Sequence, residues 1–305
     1  MKTFLDCIPC FVRQALEAAR MATDDEAIHQ QVLREVLLAA SEMDRRETPP
    51  AMSQRMHRLI RRLSGVADPY EAIKAHYTEM ALAMYPDLKA RVEQSADPLA
   101  AAVRLAIAGN VIDFGPPGEL DEGEVRTAVA EALEAPLVGD LPAFAAAVEA
   151  ATNILYLADN AGEIVFDRLL LDRLPTEKVA VVVKGAAVIN DATLADAEAA
   201  GLTGPVEVID NGSDAPGTIL ADCSDAFRRR FDRADLIIAK GQGNYETLSE
   251  VDKAIFFILK AKCRVIARDL GCEVGAPVLR ASAHRRQAAP QTAETLKGGD
   301  ENATW

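Results

Sequence analysis

The sequence predicts an α/β protein in which a helical N-terminal domain is followed by a doubly wound, mostly parallel α/β/α sheet domain. Apolar residues recur at helical spacing in the first half, and short apolar runs alternate with helical patterns in the second half. The length of 305 residues suits two domains of roughly 150 residues each. We place a helical domain at residues 1–152, an α/β domain at 153–281 and a flexible polar tail at 282–305.

The first half is rich in Ala, Leu, Glu and Arg, which favour helices. Prolines punctuate it because proline suits the first turn of a helix and breaks a helix interior. These breaks are Pro49-Pro50, Asp68-Pro69 and Asp97-Pro98. The clearest apolar stripes are Val32, Val36, Leu37 and Ala40, and Met56, Leu59, Ile60 and Leu63. We therefore expect every element before residue 152 to be a helix.

The second half contains short runs rich in β-branched residues, as expected of strands buried on both faces of a parallel sheet. The four clearest runs are Ile154–Ala158, Val179–Val183, Val206–Ile209 and Leu236–Ala239. Helical patterns at Thr193–Ala200 and Leu220–Phe231 lie between them. We expect Ala254–Leu259 and Arg264–Ala267 to add late sheet elements, although short apolar runs fit helices as well as strands.

The charge balance limits the partners. With 33 Lys and Arg against 47 Asp and Glu, the net charge is −14, so nucleic acid and anionic membrane surfaces are unfavourable partners. No run of about 18 apolar residues occurs, and Asp6 interrupts the stretch that a signal peptide would need. Five cysteines in a long chain do not resemble a disulfide framework. We expect a soluble cytoplasmic protein with reduced thiols.

Polar residues follow each of the four predicted strands. Ligands of open α/β sheets bind outside the carboxyl ends of the strands, so these turns should meet at one edge. The turns are Asp159-Asn160-Ala161-Gly162-Glu163, Lys184-Gly185 with Asn190-Asp191, Asp210–Asp214, and Lys240-Gly241-Gln242-Gly243-Asn244-Tyr245-Glu246. Each turn taken singly is also typical of a helix N-cap or an Asx-turn. Four such turns together favour a binding site.

The side chains at this edge suit a metal and a phosphoryl group. Oxygen ligands from Asp159, Asn160 and Asp191 would suit Mg²⁺ or Mn²⁺. Lys184 and Lys240, with glycine-rich turns that present backbone N–H groups, could hold a phosphoryl group. A small phosphorylated substrate is therefore compatible with the acidic chain, because a cation and lysines reverse the local charge.

The same motifs resemble a known family. DNAGE at 159–163, Lys184 with ND at 190–191, DNGSDAPG at 210–217 and KGQGNYE at 240–246 follow CIPC at 7–10 and GNVID at 109–113. Together they resemble the DUF89 family, the metal-dependent damage-control phosphatase or ARMT1-like group, and in particular its short archaeal and bacterial branch. The resemblance spans residues 1–280.

The resemblance implies a helical part that caps an α/β domain, and a phosphatase of small phosphorylated metabolites such as sugar phosphates or damaged phosphometabolites. It implies a divalent cation, Mn²⁺, Co²⁺, Ni²⁺ or Mg²⁺, held by Asp159, Asn160 and Asp191. It gives Lys240 a contact with the substrate phosphate. The remaining residues expected to line the site are Asn110, Asp113, Glu163, Lys184, Asn190, Gly241 and Asn244.

In the mechanism that this predicts, the cation polarises the phosphoryl group and lowers the pKa of a water that attacks in line, while Lys240 offsets charge on the phosphoryl oxygens. Either Asp113 or Glu163 could orient that water, and a carboxylate nucleophile also fits the residues. The four histidines lie away from the strand ends, which disfavours a histidine acid or base.

Two other functions and one other site stay open. The chain could be a protein carboxyl methyltransferase, although the first strand is followed by Gly162 alone rather than by a glycine-rich turn. It could also be a non-catalytic protein that binds a metal or a phosphometabolite. Cys7 and Cys10 are expected to be structural or to line the site, with a zinc or redox role as the alternative. The sequence leaves the oligomeric state undetermined.

Overall fold

The computed structural model of the chain describes residues 1–109 and 122–282. Within these residues the regular elements before residue 138 are helices, as predicted, but strand β1 (Val138–Gly139) contradicts the prediction that every element before residue 152 is a helix. Helices α1, α2 and α3 pack on one another, whereas α4 and α5 pack on α8 (Glu163–Leu171), a helix of the sheet region. The helices of the first half are α1 (Cys7–Ala22), α2 (Glu26–Glu42), α3 (Pro49–Ser64), α4 (Glu71–Gln94), α5 (Pro98–Ala108), α6 (Glu122–Glu134) and α7 (Leu141–Ala150).

The described strands form one seven-stranded sheet in the order β1-β7-β6-β5-β2-β3-β4. All neighbours are parallel except β6 and β7. The strands are β1 (Val138–Gly139), β2 (Ile154–Leu157), β3 (Val179–Val183), β4 (Glu207–Asp210), β5 (Leu236–Lys240), β6 (Ile255–Lys260) and β7 (Pro277–Ala281). The predicted fold class, α/β with a mostly parallel sheet, is confirmed.

Side-chain alternation sends successive strand residues to opposite faces of the sheet. On β5, Leu236 and Ile238 join the core shared with the N-terminal helices, whereas Ile237 and Ala239 join a core on the other face. The second core is covered by three later helices, and α8 and α9 cover the first. These five helices are α8 (Glu163–Leu171), α9 (Leu194–Ala199), α10 (Asp225–Arg233), α11 (Gly241–Leu248) and α12 (Arg264–Leu270).

The strand order creates a topological switch point beside β2. From β2 the chain builds β3 and β4 on one side and then returns to place β5 on the other side. The connections that leave β2 and β5 therefore diverge to opposite sides and open a crevice at their carboxyl ends. The DNAGE turn follows β2 and the KGQGNYE turn begins at the end of β5, so two of the predicted motifs meet at this crevice.

Some predicted elements were wrong. Arg264–Ala267 is the start of α12 and not a strand. A short apolar run fits either structure, and here its apolar side chains pack from a helix onto the sheet. Helix α10 begins at Asp225, where Ser224 provides the N-cap, rather than at Leu220. Strands β1 and β7 were not predicted. Strand β1 is two residues long and β7 contains Pro277 and Arg280, so neither resembles a buried apolar run.

The predicted boundary at residue 152 stays a prediction, and two structural facts bear on it. Strand β1 and helix α7 precede residue 152 but contact the sheet: β1 pairs with β7, and Phe144 of α7 packs edge-on against Phe256 of β6 with ring centroids 5.3 Å apart. Ser282, the first residue of the predicted tail, is buried and its hydroxyl donates to Lys253 O. The described chain thus leaves the sheet later than residue 281.

Candidate active site at the carboxyl ends of the strands

Asp159 and Gly241 meet at the switch point between β2 and β5. Gly241 has φ +78°, and a Cβ atom at this position would lie 1.9 Å from Asp159 Oδ2. A residue with a side chain would therefore be strained and would also collide with the carboxylate. Glycine is required here because α11 begins directly against Asp159.

The turns after β2 and β3 are joined by backbone hydrogen bonds. Asn160 and Asp191 form an isolated antiparallel bridge, and Ala192 N donates to Asp159 O at 2.8 Å. Ile189, just before the second turn, has φ +46°. This left-handed conformation is unusual for a β-branched residue and often marks a functional site. The pairing brings Asp159, Asn160 and Asp191 together, as the sequence predicts.

A cleft of about 740 Å³ opens over these turns. Its floor includes four predicted site residues: Asp159, Asn160, Asn190 and Asp191. Its walls come from α1, from the start of α3 and from the segments that begin α11 and α12. The volume is typical of a small-molecule site. The helical half of the chain thus forms one side of the cleft, which agrees with the capping role that the resemblance implies.

Several acidic side chains are buried together at the floor of the cleft. Burial raises the pKa of Asp159 well above its usual range, and the neighbouring Glu163 and Asp191 carboxylates raise it further. Burial also raises the pKa of Asp191, against the opposing effect of Lys184. Asp191 Oδ2 is buried without a well-aligned hydrogen-bond donor among the described residues, and Lys184 Nζ lies 3.3 Å from it.

This donor set fits a hard divalent cation. Two carboxylates and one amide offer oxygen ligands, and Asp191 Oδ2, which is ion-paired with Lys184 but accepts no well-aligned hydrogen bond, can accept a further ligand. Within the described residues, no group of three or more His, Cys, Asp and Glu side chains is arranged to hold a metal. A cation bound here would therefore depend on Asn160 and on water or substrate to complete its coordination.

Lys240 does not line the cleft. Its side chain is fully buried beneath the floor, where Nζ donates to Ala106 O at 2.8 Å and to Glu163 Oε1 and Asp167 Oδ1 at 2.5 Å each. As the last residue of β5 it follows the strand alternation onto the same face as Ile238. The predicted contact of Lys240 with a substrate phosphate is therefore not part of the observed geometry.

Other predicted residues surround the floor without lining the cleft. Lys184 is buried, and its ammonium contacts Gly217 O as well as Asp191. Asn244 is also buried, donating to Lys240 O and accepting from Thr218 Oγ1. Glu163 is buried between Lys240 and Asn160. The two predicted residues in the GNVID motif, Asn110 and Asp113, lie outside the described residues.

Sequence reasoning missed Lys262, and it included Glu246 in the KGQGNYE turn without giving that residue a role. Lys262 follows β6 and lines the cleft, and its positive charge lowers the pKa of Asp159. The signal was available, because the rule that ligands bind at strand ends applies to β6 as it does to the four strands used for the prediction.

Glu246 lies on α11, and Gln242 Nε2 donates to its Oε1 at 2.9 Å. Burial raises its pKa to about 7 despite that hydrogen bond.

The CIPC segment contributes to the cleft wall. Helix α1 begins at Cys7, which is half-buried, and Cys10 is exposed one turn later; both line the cleft and are free thiols. Burial raises the pKa of the Cys7 thiol, and the charge of Glu246 adds to the effect. A raised thiol pKa is the reverse of what a reactive cysteine needs. This favours the prediction that the two cysteines are structural or line the site.

The sequence matches the family described as the damage-control phosphatase ARMT1-like domain over residues 3–278. The chain belongs to this ARMT1-like family. The resemblance to DUF89 is therefore confirmed. Within the described residues, no helix is both long enough and apolar enough to cross a membrane.

Similar proteins carry names consistent with this ARMT1-like family. A damage-control phosphatase of Archaeoglobus fulgidus is 37% identical over 276 residues, covering 88% of this chain and 95% of that protein. A damage-control phosphatase of Pyrococcus horikoshii is 36% identical over 286 residues, covering 91% and 97%. The crystal structure of a DUF89 family protein from P. horikoshii has a TM-score of 0.83 at 34% identity, covering 92% of this chain and 99% of that one.

Proposed function

We propose that this chain is a divalent-metal-dependent phosphatase that hydrolyses small phosphorylated metabolites. The observation that carries the proposal is the convergence of the oxygen-bearing side chains of Asp159, Asn160 and Asp191 in one cleft at the switch point. Two relatives named as damage-control phosphatases support the same activity. Membership of the family by itself would support the fold, but it would not show which reaction the site carries out.

A divalent cation held by these three side chains would offset the charge of a phosphoryl group and activate water for attack. Lys262 supplies a positive charge on the wall of the same cleft. The first residues of α11, Gln242 and Gly243, also line it, so the positive end of a helix dipole faces the space above the floor. These features draw a phosphoryl group to the floor of an otherwise acidic protein.

The residue that orients the attacking water stays open between the two predicted candidates. Asp113 lies outside the described residues. Glu163 has one carboxylate oxygen on Lys240 and the other on Asn160 Nδ2, so both oxygens are occupied behind the floor. This arrangement favours a supporting role for Glu163 rather than a contact with water.

The activity is tested by measuring phosphate release from a panel of sugar phosphates and from p-nitrophenyl phosphate. Each reaction is run with Mn²⁺, Co²⁺, Ni²⁺ or Mg²⁺ and again with excess chelator. We expect release that requires a cation and disappears with chelator. Binding of sugar phosphates without release under any cation would indicate a non-catalytic protein, and methyl transfer from adenosylmethionine would indicate a methyltransferase.

The site assignment is tested by replacing Asp159 with Asn, which removes a charged ligand at nearly constant size. We expect phosphate release to fall by at least about 10³-fold, because a positioned electrostatic group contributes 10²–10³ or more to such rates. The matched control is Asp210→Asn. Asp210 also ends a parallel strand but is exposed, accepts from Gly212 N and does not line the cleft. Full activity of Asp159→Asn, or equal losses in both variants, would refute the assignment.

A further inference from the structure

We propose that Lys240 is a positioning residue for the candidate metal site. It holds Glu163, and Glu163 holds the side-chain amide of Asn160 so that the carbonyl oxygen of that amide is turned toward the cleft. The inference rests on the proposed function, because it gives Asn160 the role of a metal ligand. It assigns Lys240 a task behind the site instead of a contact with substrate.

The first link is between the sheet and α8. Lys240 ends β5, and Glu163 and Asp167 lie four residues apart on one side of α8. Both carboxylates accept from Lys240 Nζ at 2.5 Å, and Ala106 O of α5 accepts a third hydrogen bond at 2.8 Å. All three donor positions of the ammonium are therefore used. The lysine therefore connects its own strand, β5, to two helices, α8 and α5.

The second link runs from Glu163 to the floor of the cleft. Glu163 Oε1 accepts from Lys240, and Glu163 Oε2 accepts from Asn160 Nδ2 at 2.9 Å. The same Asn160 nitrogen lies 3.2 Å from Asp159 Oδ2. Because the nitrogen of the amide faces these two carboxylates, the opposite atom, Asn160 Oδ1, is the one that can serve a cation in the cleft. Partners of this kind commonly fix the orientation of metal ligands.

Asp167 provides an internal control. It shares Lys240 with Glu163 and is equally buried, at 1% exposure, but within the described residues the Asn160 amide donates to Glu163 and Asp159 and not to Asp167. A network that only neutralised charge would treat the two carboxylates alike. A network that positions Asn160 must depend on Glu163 far more than on Asp167.

The main test measures Mn²⁺ binding by isothermal titration calorimetry in the absence of substrate. We expect Lys240→Met, which keeps the length and burial of the side chain, to bind Mn²⁺ at least tenfold more weakly than the parent. The control for lost stability is Phe231→Leu, a change in the buried core on the opposite face of the sheet. That control should bind Mn²⁺ as the parent does. Parental affinity in a folded Lys240→Met protein would overturn the proposal.

A second pair of variants keeps the test valid if Lys240→Met does not fold. Glu163→Ala removes the acceptor of the Asn160 amide, whereas Asp167→Ala leaves the path from Lys240 through Glu163 to Asn160 intact. We expect Mn²⁺ affinity to fall at least tenfold in the first and to stay within threefold of the parent in the second. Equal losses in the two variants would contradict positioning.

A metal-free readout separates this inference from the proposed function. Neutron crystal structures of the metal-free parent and of Glu163→Ala distinguish the amide nitrogen of Asn160 from its oxygen and therefore report the orientation of this side chain. The inference requires the amide to turn or to become disordered in the variant, and an unchanged amide refutes it. If the parent itself binds none of the four cations, the proposed function fails, while the position of the amide still decides whether the network orients Asn160.

Discussion

At the scale of single residues, the site depends on one close backbone approach. Gly241 and Gly271 have similar backbone conformations, with φ +78° and +69°, but very different surroundings. A Cβ atom on Gly241 would meet Asp159 Oδ2, whereas a Cβ atom on Gly271 would have nothing within 4 Å. A comparison of the two glycines therefore separates the free-energy cost of a left-handed backbone from the cost of crowding the Asp159 carboxylate.

We predict that Gly271→Ala lowers the free energy of unfolding by about 1 kcal/mol, the cost of a left-handed alanine. Gly241→Ala should lower it by about 3 kcal/mol or more, because the overlap adds to the same conformational cost. It should also abolish Mn²⁺-dependent phosphate release by displacing Asp159. Urea denaturation and the phosphate assay check both variants. Equal losses of stability in the two variants, together with retained activity in Gly241→Ala, would contradict the assigned geometry.

Glu246 makes stability depend on pH. Burial raises the pKa of Glu246 from its ordinary value of 4.5 to about 7 in the folded chain. Between these two values the folded state keeps a proton that the unfolded state has released, so stability falls as pH rises through this window. We predict that the parent loses up to about 3 kcal/mol more than Glu246→Gln between pH 4.5 and pH 7.5. Urea denaturation across this range tests it, and parallel profiles would refute it.

At the scale of elements, helix α3 is tied to the sheet by charged side chains. Gln54 Nε2 and Arg58 Nη2 donate to Asp214 Oδ1 at 2.7 and 2.5 Å, and Arg61 also pairs with Asp214. Asp214 precedes α10, and these contacts hold its pKa below the usual range even though burial opposes the effect. The first residues of α3 line the cleft. This network therefore fixes one wall of the site from a distance.

We predict that Asp214→Ala lowers the free energy of unfolding by about 2 kcal/mol, because it leaves the half-buried Arg61 without its carboxylate partner and also removes the ion pair of the exposed Arg58. It should raise KM more than it lowers kcat, since the wall moves and the floor stays. Glu207→Ala is the control, because Glu207 pairs with Arg230 on the exposed surface, and such pairs contribute about 0–1 kcal/mol. Hydrogen exchange over residues 49–64 should accelerate only in Asp214→Ala. Unchanged exchange and KM would refute the prediction.

Whether a segment is a helix or a strand could be predicted where its apolar pattern fitted only one of the two structures. β2, β3 and β5 are apolar on both faces and short, which is typical of central parallel strands. Arg264–Ala267 also contains a short apolar stretch but is helical, because it begins a helix with Cys263 at the N-cap that packs over the sheet. Strand β7 was missed because it is an antiparallel partner of β6 and contains half-buried positions, a proline and an arginine. The packing of α12 over the sheet and the pairing of β7 with β6 decided these two cases, and local sequence patterns do not contain either contact.

At the scale of the whole molecule, a chain with net charge −14 places buried carboxylates around one cleft. A cation that binds the folded chain and not the unfolded chain must stabilise the fold. We predict a gain of about 2.7 kcal/mol at a Mn²⁺ concentration 100 times Kd. Thermal denaturation with Mn²⁺ and with chelator measures this gain. Asp159→Asn should lose it and Asp210→Asn should keep it; the same gain in both variants would place the cation elsewhere.

The sequence by itself determined the fold class, the family and the polar turns that carry the candidate ligands. It could do so because strand burial and the rule for strand ends depend on local patterns. Only the tertiary structure decided which side chains reach the cleft. Lys240 and Lys262 both end or follow a strand, but strand alternation turns Lys240 into the core beside Glu163, whereas Lys262 lies in the loop after β6 and lines the cleft. The direction of a side chain depends on strand pairing and on the helix that covers each face, which distant parts of the chain provide.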